Sequence, residues 1–410
     1  MLAIDGGEKC RKTPFPKRSL LGEEEKQAAV ALFDQAIQTG NAFGYGGPEE
    51  QAYEKEFADM MGGGYADLVN SGSCALYVAL GALELEPAGE VIVPSISDNG
   101  GVMPVPLLNL VPMVADVHPG SFNIGPDQIK PLLTPHTRAI VVAHISGDPA
   151  DMHPILELAD ARGIPVIEDC AQAHGARYKG RLVGTMGTVG VFSTMSGKHH
   201  ATGAQGGVVF TRDEDLYWRV KRFSDRGKPF NTDATSNLRA GLNLNGNDLA
   251  AAIGRVQLRK LPDITRKRQQ TAQGIREGLA GLRSVSVGWQ VPEAESAYWF
   301  MRIHVDVSKL TVDKETFAAA VAAEGIPLSP SYGRVISHQT WFRQRKIFGN
   351  SDYPWGLPDY KGDRNAEFPC PNAVESRDTH FALRIHENWD DQEVQDAVAA
   401  MEKVEKAYLR

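Results

Sequence analysis

The sequence predicts an α/β fold, with a mostly parallel sheet in a large first domain and a smaller α+β domain after it. The chain has 410 residues, which is more than one hydrophobic core usually fills. Short apolar runs alternate with helical patterns between about residues 65 and 211, as is typical of a parallel sheet covered on both faces. We therefore expect a large domain at residues 1–260 with an N-terminal helical arm. A small domain at residues 261–410 follows through a linker helix.

Apolar runs and helical periodicity place the elements of the large domain. Helices are predicted at Glu23–Gly40 and Glu49–Met61, ahead of the first strand. The predicted strands are Ala66–Val69, Val91–Val93, Met113–Asp116, Ala139–Ile145, Val166–Glu168, Val189–Ser193 and Val208–Thr211. The helices between them are predicted at Ser73–Leu83, Pro126–Leu133 and Ile155–Arg162.

The C-terminal part of the chain has shorter elements. Amphipathic periodicity predicts the linker helix at Asn247–Leu261, continuing after Pro262 into Ile264–Leu282. Gly349–Asn365 is rich in Pro, Gly and Asp, which predicts a loop. The other elements predicted here are a strand at Trp299–Val305 and helices at Lys314–Glu324 and Asp391–Leu409.

Charge and cysteine content exclude several classes of protein. The net charge is −8, and no block of Lys and Arg reverses it locally, so we expect no nucleic-acid or anionic-membrane partner. The four cysteines have neither metal-site spacing nor the density of a disulfide scaffold. No apolar run has the length of a signal core or a membrane span. A soluble, cytoplasmic protein without a metal site is expected.

The first motif with chemical potential is the turn Asn70-Ser71-Gly72-Ser73-Cys74, which follows a strand and opens a helix. Free N–H groups at a helix start, together with the helix dipole, bind phosphate well. The hydroxyls of Ser71 and Ser73 add further donors. The alternative is a simple serine N-cap, which is common.

The second motif is the pair Glu168-Asp169 at the end of an apolar strand. Ligands of parallel α/β sheets bind outside the carboxyl ends of the strands, and a buried carboxylate needs a cationic partner. A protonated pyridine nitrogen is one such partner. A structural ion pair or a helix cap is an equally good interpretation of this segment alone.

The third motif is Lys198, in a turn of small residues after the strand Val189–Ser193. A lysine in such a setting loses its proton more easily and forms an imine. The alternative is a surface lysine in a flexible loop. His199 and His200 follow it, but an adjacent pair without a third spaced ligand is weak evidence for a metal site.

Together the three motifs indicate a site for pyridoxal 5′-phosphate. The turn anchors the phosphate, and the carboxylate keeps the ring nitrogen protonated so that the ring acts as an electron sink. The lysine binds the cofactor as a Schiff base and then acts as acid and base.

The sequence also resembles the DegT/DnrJ/StrS family of pyridoxal-phosphate-dependent sugar aminotransferases, which have the aspartate-aminotransferase-like fold type I. The resemblance covers nearly the whole chain. It is carried by the phosphate turn Asn70–Ser73, by the signature Glu168–Ala176 and by Gly241–Asn243 with the following Ala250–Leu258. The opening Leu2–Gly7 resembles the inosose-type members most.

The resemblance implies a role for individual residues. Lys198 carries the cofactor as the Schiff-base lysine, Asp169 pairs with the pyridine nitrogen, and Gln172 lies against the ring. Asn243 reaches the phosphate of the neighbouring subunit, which implies a homodimer with shared active sites. The residues implied to hold the phosphate within one chain are Gly72, Ser73, the N–H of Cys74, and Ser193.

Two departures from the family pattern lie in this region. The family has an aromatic ring stacked on the cofactor four positions after the proline that ends the second strand, and here Asp98 holds that position after Pro94. The Gly-Glu-Gly-Gly that follows the lysine in the family is replaced by Gly203-Ala204-Gln205-Gly206-Gly207, without an acidic residue.

The expected function is transfer of an amino group from an amino acid, glutamate or glutamine by family analogy, to a keto sugar or keto cyclitol. One alternative is a sugar dehydratase or other lyase of the same fold; in the dehydratases, histidine replaces the lysine. Another is a non-catalytic regulatory homologue, which would be expected to lose Lys198 or Asp169. The sequence does not identify the acceptor.

Overall fold

The central sheet of the computed structural model, which describes residues 1–410, has seven strands. They are β1 (Tyr65–Val69), β2 (Glu90–Pro94), β3 (Val111–Ala115), β4 (Thr137–Ala143), β5 (Val166–Asp169), β6 (Val189–Ser193) and β7 (Gly207–Thr211). Their order is β1-β7-β6-β5-β4-β2-β3. All neighbouring pairs are parallel except those that β7 makes with β1 and β6. The predicted mostly parallel sheet is therefore confirmed.

Twelve helices accompany the strands. They are α1 (Glu23–Thr39), α2 (Pro48–Met60), α3 (Gly72–Ala82), α4 (Pro104–Leu107), α5 (Pro126–Ile129), α6 (Met152–Asp160), α7 (Glu214–Ser224), α8 (Asp248–Leu279), α9 (Lys314–Ala323), α10 (Thr340–Arg343), α11 (Pro371–Thr379) and α12 (Asp391–Tyr408). Helix α7 is not among the predicted elements, although its buried Leu216, Val220 and Phe223 have helical spacing.

The strands of the central sheet are apolar along their length because both faces are covered. Val91, Ile92 and Val93 of β2 are all 0% exposed, so the run needs no polar alternation. Helices α3 and α7 pack on the β1 end of the sheet. Glycine is required in α3 at Gly81, because a Cβ there would lie 2.2 Å from the ring of Phe223.

Helix α8 is continuous through Pro262. Proline has no N–H to donate to the preceding turn, but Leu258, Leu261 and Ile264 around it are buried. The helix packs against α1, α2 and α12, and this packing maintains it across the missing hydrogen bond.

A second sheet lies in the C-terminal part. Its strands are β8 (Val285–Val287), β9 (Met301–Val305), β10 (Leu328–Ser329) and β11 (His380–Leu383), in the antiparallel order β8-β9-β11-β10. It shares a core with α9 and α12, and Leu2 from the start of the chain packs into that core. In the opposite direction, Phe300 and Ile336 pack into the core of the large sheet. The domain boundary at residue 260 stays a prediction.

A short ribbon connects segments that are far apart in the chain. Ile96–Ser97 pairs with Arg334–Val335 in an antiparallel ribbon. Gly349–Asn365 contains neither helix nor strand, as predicted.

No helix combines the length and the apolar character needed to cross a membrane.

Candidate active site

A cavity of about 340 Å³ opens at the carboxyl ends of β4, β5 and β6, next to the start of α3. This is the edge where parallel sheets bind ligands. The structure brings six of the predicted residues together in its lining, namely Gly72, Ser73, Asp169, Gln172, Ser193 and Lys198.

The start of α3 forms one end of the cavity. Ser71 is the N-cap, and its Oγ accepts a hydrogen bond from the Cys74 N–H at 3.1 Å. The N–H groups of Gly72 and Ser73 have no acceptor in the chain, as expected at a helix start. Gly72 must be glycine, because a Cβ there would lie 2.6 Å from Ser193 Cβ. Both the N-cap and the phosphate interpretations of this turn therefore have a structural basis.

Lys198 lines the cavity from the turn that follows β6. Its side chain is buried, and Nζ makes no hydrogen bond; it lies 4.0 Å from the centroid of the Trp299 ring. Burial lowers the pKa of the Lys198 ammonium to about 8, against the opposing effect of Asp169 and then Asp98. The neutral amine needed for imine formation is thus accessible near neutral pH.

The loop that carries Lys198 is held from several directions. The Arg18 guanidinium donates to the Lys198 carbonyl oxygen at 2.6 Å, and the Trp299 indole N–H donates to the Gly197 carbonyl oxygen at 2.8 Å. Arg18 is in turn paired with Glu387 at 2.9 Å. This lysine is therefore part of an ordered wall, in contrast to the surface-loop alternative.

Asp169 ends β5 and faces the cavity. Its Oδ1 accepts from the Ala171 N–H at 3.0 Å, and its Oδ2 has no hydrogen-bond partner. Burial raises the pKa of the Asp169 carboxyl, although the Ala171 N–H and Lys198 act in the opposite direction. A bound cation would compensate the desolvation of this carboxylate.

Glu168, the other carboxylate of the pair, faces away from the cavity. It accepts hydrogen bonds from the N–H groups of Gly184, Met186 and Gly187, and from His144 Nε2 at 3.2 Å. Burial would raise its pKa, but the hydrogen bond and charge of His144 and these N–H groups hold it below the ordinary value. Glu168 is therefore a structural carboxylate.

Three residues of the lining, His144, Trp299 and Tyr332, are not among the predicted site residues. The Tyr332 hydroxyl accepts a hydrogen bond from the predicted Gln172, which itself accepts from the Ser146 N–H at 2.8 Å. His144 follows β4, and a polar residue after a parallel strand is a signal that sequence analysis can use. Tyr332 and Trp299 follow no such strand and carry no comparable signal.

Asp98 also lines the cavity, so the aromatic ring expected at this position is absent. Its Oδ1 accepts from the Gly100 N–H at 2.8 Å. A Cβ on Gly100 would lie 2.0 Å from Ser73 Oγ, and one on Gly101 would lie 2.6 Å from Ser97 Oγ. Backbone without side chains therefore forms this wall. In the second departure from the family pattern, Gln205 lines the cavity.

His199 and His200 point away from the cavity. His199 Nε2 bonds to the Ala297 carbonyl oxygen at 2.9 Å, and His200 Nε2 to the Tyr53 hydroxyl at 2.8 Å. Burial lowers the pKa of His200 to about 3. Lys198 is thus the residue of this segment that faces the cavity.

Two predicted cofactor residues lie outside the lining. The Cys74 N–H donates to Ser71 Oγ, and its side chain is half-buried. Asn243 is exposed and lies in a separate groove with Phe43 and Tyr45. A role for Asn243 at a partner's phosphate site stays a prediction.

The residues present fit pyridoxal phosphate. An open helix N-terminus suits its phosphate, Asp169 with an unpartnered oxygen suits a protonated ring nitrogen, and the unpaired amine of Lys198 suits its aldehyde. The absence of side chains at Gly100 and Gly101 lets this wall pack closely against Ser73 Oγ and Ser97 Oγ.

Comparison with known proteins agrees with this geometry. The profile of the DegT/DnrJ/EryC1/StrS aminotransferase family matches residues 23–402. A Streptomyces venezuelae protein described as a dTDP-3-amino-3,4,6-trideoxy-alpha-D-glucose transaminase is 33% identical over 295 residues, covering 72% of this chain and 76% of the relative.

Solved structures share the whole fold. The aminotransferase from Psychrobacter cryohalolentis superposes with a TM-score of 0.81 at 28% identity, covering 97% of this chain and 99% of its own. S. venezuelae DesV, determined in complex with a ketimine intermediate, gives a TM-score of 0.79 at 27% identity with the same coverage of 97% and 99%. The predicted fold type I is thereby confirmed, while the closer similarity to inosose-type members stays a prediction.

Proposed function

The chain belongs to the DegT/DnrJ/EryC1/StrS aminotransferase family, and from this premise we propose that it transfers the amino group of an amino acid to a keto sugar or keto cyclitol. It is a pyridoxal-phosphate-dependent aminotransferase. One observation supports the role of this particular cavity most. The unpaired Lys198 amine and the Asp169 carboxylate face the same cavity, and the start of α3, with its free N–H groups, forms one end of it.

Pyridoxal phosphate, when bound, supplies an electron-withdrawing ring that stabilises negative charge at the carbon bearing the amino group. Gly72 and Ser73 would hold its phosphate through their free N–H groups, and the hydroxyls of Ser73 and Ser193 would add donors. Asp169 holds the proton on the ring nitrogen. Gln172, which Ser146 and Tyr332 hold in place, would lie against the ring.

Lys198 has two tasks in this assignment. Its neutral amine would hold the cofactor between turnovers, and when free it would move a proton to or from the carbon bearing the amino group. The amine has no hydrogen-bond acceptor in the chain, so no internal bond must break before it acts. Trp299 covers it on one side, which limits access of water.

A keto sugar or cyclitol is the acceptor class best supported. The Streptomyces relative is described as forming an amino sugar. Apart from Trp299 and Tyr332, polar and small side chains dominate the mouth of the cavity, among them Ser97, Asp98 and Gln205. Such groups suit a hydroxylated ring. Glutamate or glutamine is proposed as the donor by family analogy.

The half-reactions test this function. Enzyme loaded with pyridoxal phosphate is treated with glutamate or glutamine, and the amino form of the cofactor is followed by its absorption. The aminated enzyme is then mixed with a panel of keto sugars, keto cyclitols and simple keto acids. Return of the original spectrum with a keto ring, together with its aminated product by mass spectrometry, supports the proposal. Return with keto acids alone would contradict it.

A homodimer with shared sites belongs to the same proposal. Val30, Phe33 and Ile37 are exposed at helical spacing on α1, with Ile37 80% exposed, and Leu242 beside Asn243 is 59% exposed. Exposed apolar residues of this kind are typical of an interface. A two-fold interface would complete both sites at once, with Asn243 donating to the partner's phosphate.

Mixed dimers test the shared site. Lys198→Ala chains are mixed with Asn243→Ala chains at limiting cofactor. If Asn243 acts in the partner's site, each mixed dimer holds one doubly damaged site and one intact site, so activity rises above both parents. Asn243→Ala alone should weaken cofactor binding by about 1–3 kcal/mol, because a hydrogen bond to a charged group is lost. Mixed dimers that form without recovery would contradict the shared site.

A cytoplasmic location is proposed as well. All four cysteines are free, as is usual in a reducing compartment. Fractionation of cells that express the untagged chain, with enzyme activity as the readout, tests it.

A further inference from the structure

The cofactor cavity continues into a second cavity of about 350 Å³ at its mouth. The two share Ser97, Asp98 and Tyr332, and the second is completed by Asn99, Gly333, Arg334 and Gln339. We propose that Asp98 and Arg334 bind neighbouring hydroxyls of the acceptor, so that the enzyme selects fully hydroxylated keto rings over deoxygenated ones. This inference rests on the proposed function and names its substrate class.

Asp98 is fixed in place, although its side chain is exposed. Its Oδ1 accepts from the Gly100 N–H at 2.8 Å. On one side, Ser97 is paired with Arg334 in the ribbon of Ile96–Ser97 and Arg334–Val335. On the other, Asn99 Oδ1 accepts from the Trp341 indole N–H at 2.8 Å. A carboxylate anchored on both flanks has lost its freedom before any ligand binds, which favours specific recognition.

The charged atoms of this subsite have bonding capacity left over. The Arg334 guanidinium makes no ion pair or hydrogen bond within the chain, although the Arg334 backbone pairs with Ser97, and Asp98 makes no ion pair. The Tyr332 hydroxyl accepts from Gln172 and still has its own proton to donate. An acceptor-only carboxylate, a donor-only guanidinium and a hydroxyl therefore line one space.

This combination suits neutral hydroxyl groups better than an anion such as phosphate. Each hydroxyl both donates and accepts, so a vicinal pair can donate to Asp98 and accept from Arg334. A phosphate at this point would be repelled by Asp98, whereas an uncharged hydroxylated ring is repelled by neither Asp98 nor Arg334. A deoxygenated position leaves the carboxylate or the guanidinium without its partner, which costs affinity.

The test compares two acceptors that differ by one hydroxyl next to the carbonyl, in wild type, Asp98→Asn and Arg334→Gln. In the half-reaction, wild type should prefer the hydroxylated ring by about 10- to 100-fold in kcat/KM, the range for hydrogen bonds to charged groups. Either substitution should reduce that preference about tenfold or more. Asp127→Asn, an exposed change on α5 away from the cavity, should leave it unchanged.

Binding of an unreactive polyol gives a readout independent of turnover. myo-Inositol, which has no carbonyl, should perturb the absorption of the cofactor-loaded wild type at lower concentration than that of Asp98→Asn. Equal loss of kcat/KM for both acceptors, or an effect confined to the amino-acid half-reaction, would overturn the inference. Absence of turnover with every keto ring would instead overturn the proposed function, whatever the binding result.

Discussion

The two ends of the active-site cavity are built in different ways. At the cofactor end, Ser73, Asp169 and Lys198 lie at or shortly after the ends of strands of one sheet, and the charged groups are half-buried (Asp169) or buried (Lys198). At the mouth, Asp98 and Arg334 are exposed, and a two-residue ribbon and one indole hydrogen bond position the segments that carry them.

The difference separates chemistry from selectivity. Buried charges interact strongly and tolerate little change, so the cofactor end should respond to substitution by loss of all activity. Exposed charges are screened, so the mouth should respond by a change in which acceptor is used.

Replacing Lys198 by alanine should abolish transamination with every acceptor. The loss should be at least about 10²–10⁴-fold, the usual contribution of one acid–base group, because the chain offers no second amine in the cavity. Borohydride treatment of the loaded wild type should attach the cofactor to the Lys198 peptide, as read by mass spectrometry. Lys130→Ala, an exposed control, should keep wild-type activity. A label on any other lysine would refute the assignment.

These two ends also differ in how far sequence alone predicts them. The phosphate turn, Asp169 and Lys198 are predictable because each stands where a strand ends, and strand ends of a parallel sheet converge. The central strands are equally predictable from their apolar runs. Even Asp98 is singled out by its departure from an aromatic position.

Tyr332 and Arg334 are not predictable in this way. They reach the site through pairing with Ile96–Ser97, a contact between distant parts of the chain that leaves no local periodicity. The roles of Cys74 and Asn243 stay predictions. The Cys74 N–H already donates to the N-cap Ser71, and the role of Asn243 requires a second chain.

A substitution at Glu387 tests whether the Lys198 loop depends on the C-terminal part of the chain for its position. It accepts from Arg268 at 2.8 Å and from Arg18 at 2.9 Å, and Arg268 is 2% exposed. Glu387→Ala leaves a buried guanidinium without its counter-charge and should lower the free energy of unfolding by about 3–5 kcal/mol. Chemical denaturation measures it, with exposed Glu402→Ala as control.

Because Arg18 also holds the Lys198 carbonyl oxygen, cofactor affinity should fall in the same variant under conditions where it is folded. Unchanged affinity would mean that the Lys198 loop needs no support from the C-terminal part, and would sharpen the contrast between the two ends.

Trp341 tests the mouth in the same manner. Trp341→Phe removes the indole N–H that holds Asn99, a neutral hydrogen bond worth about 0.5–1.5 kcal/mol. The preference for the hydroxylated acceptor should therefore fall by about 2- to 13-fold, while cofactor affinity should be unchanged. A loss of cofactor affinity equal to the loss of preference would show that the two ends do not act separately.

The smallest expected effect is an electrostatic link between the ends. The Lys198 ammonium has a pKa of about 8 because burial disfavours its charge, while Asp169 and, to a smaller extent, Asp98 favour it. Acetylation of Lys198 in cofactor-free enzyme should therefore be half-maximal near pH 8. Asp169→Asn and Asp98→Asn each remove a negative charge that stabilises the ammonium, so each should move the midpoint to lower pH. The shift should be larger for Asp169, which is half-buried and favours the Lys198 ammonium more strongly, than for Asp98, which is exposed and screened by water. Peptide mass spectrometry across a pH series measures both. An equal or larger shift for Asp98→Asn would show that Asp98 acts on the Lys198 amine as strongly as Asp169 does. The separation of the chemistry at the cofactor end from the acceptor selectivity at the mouth would then be wrong.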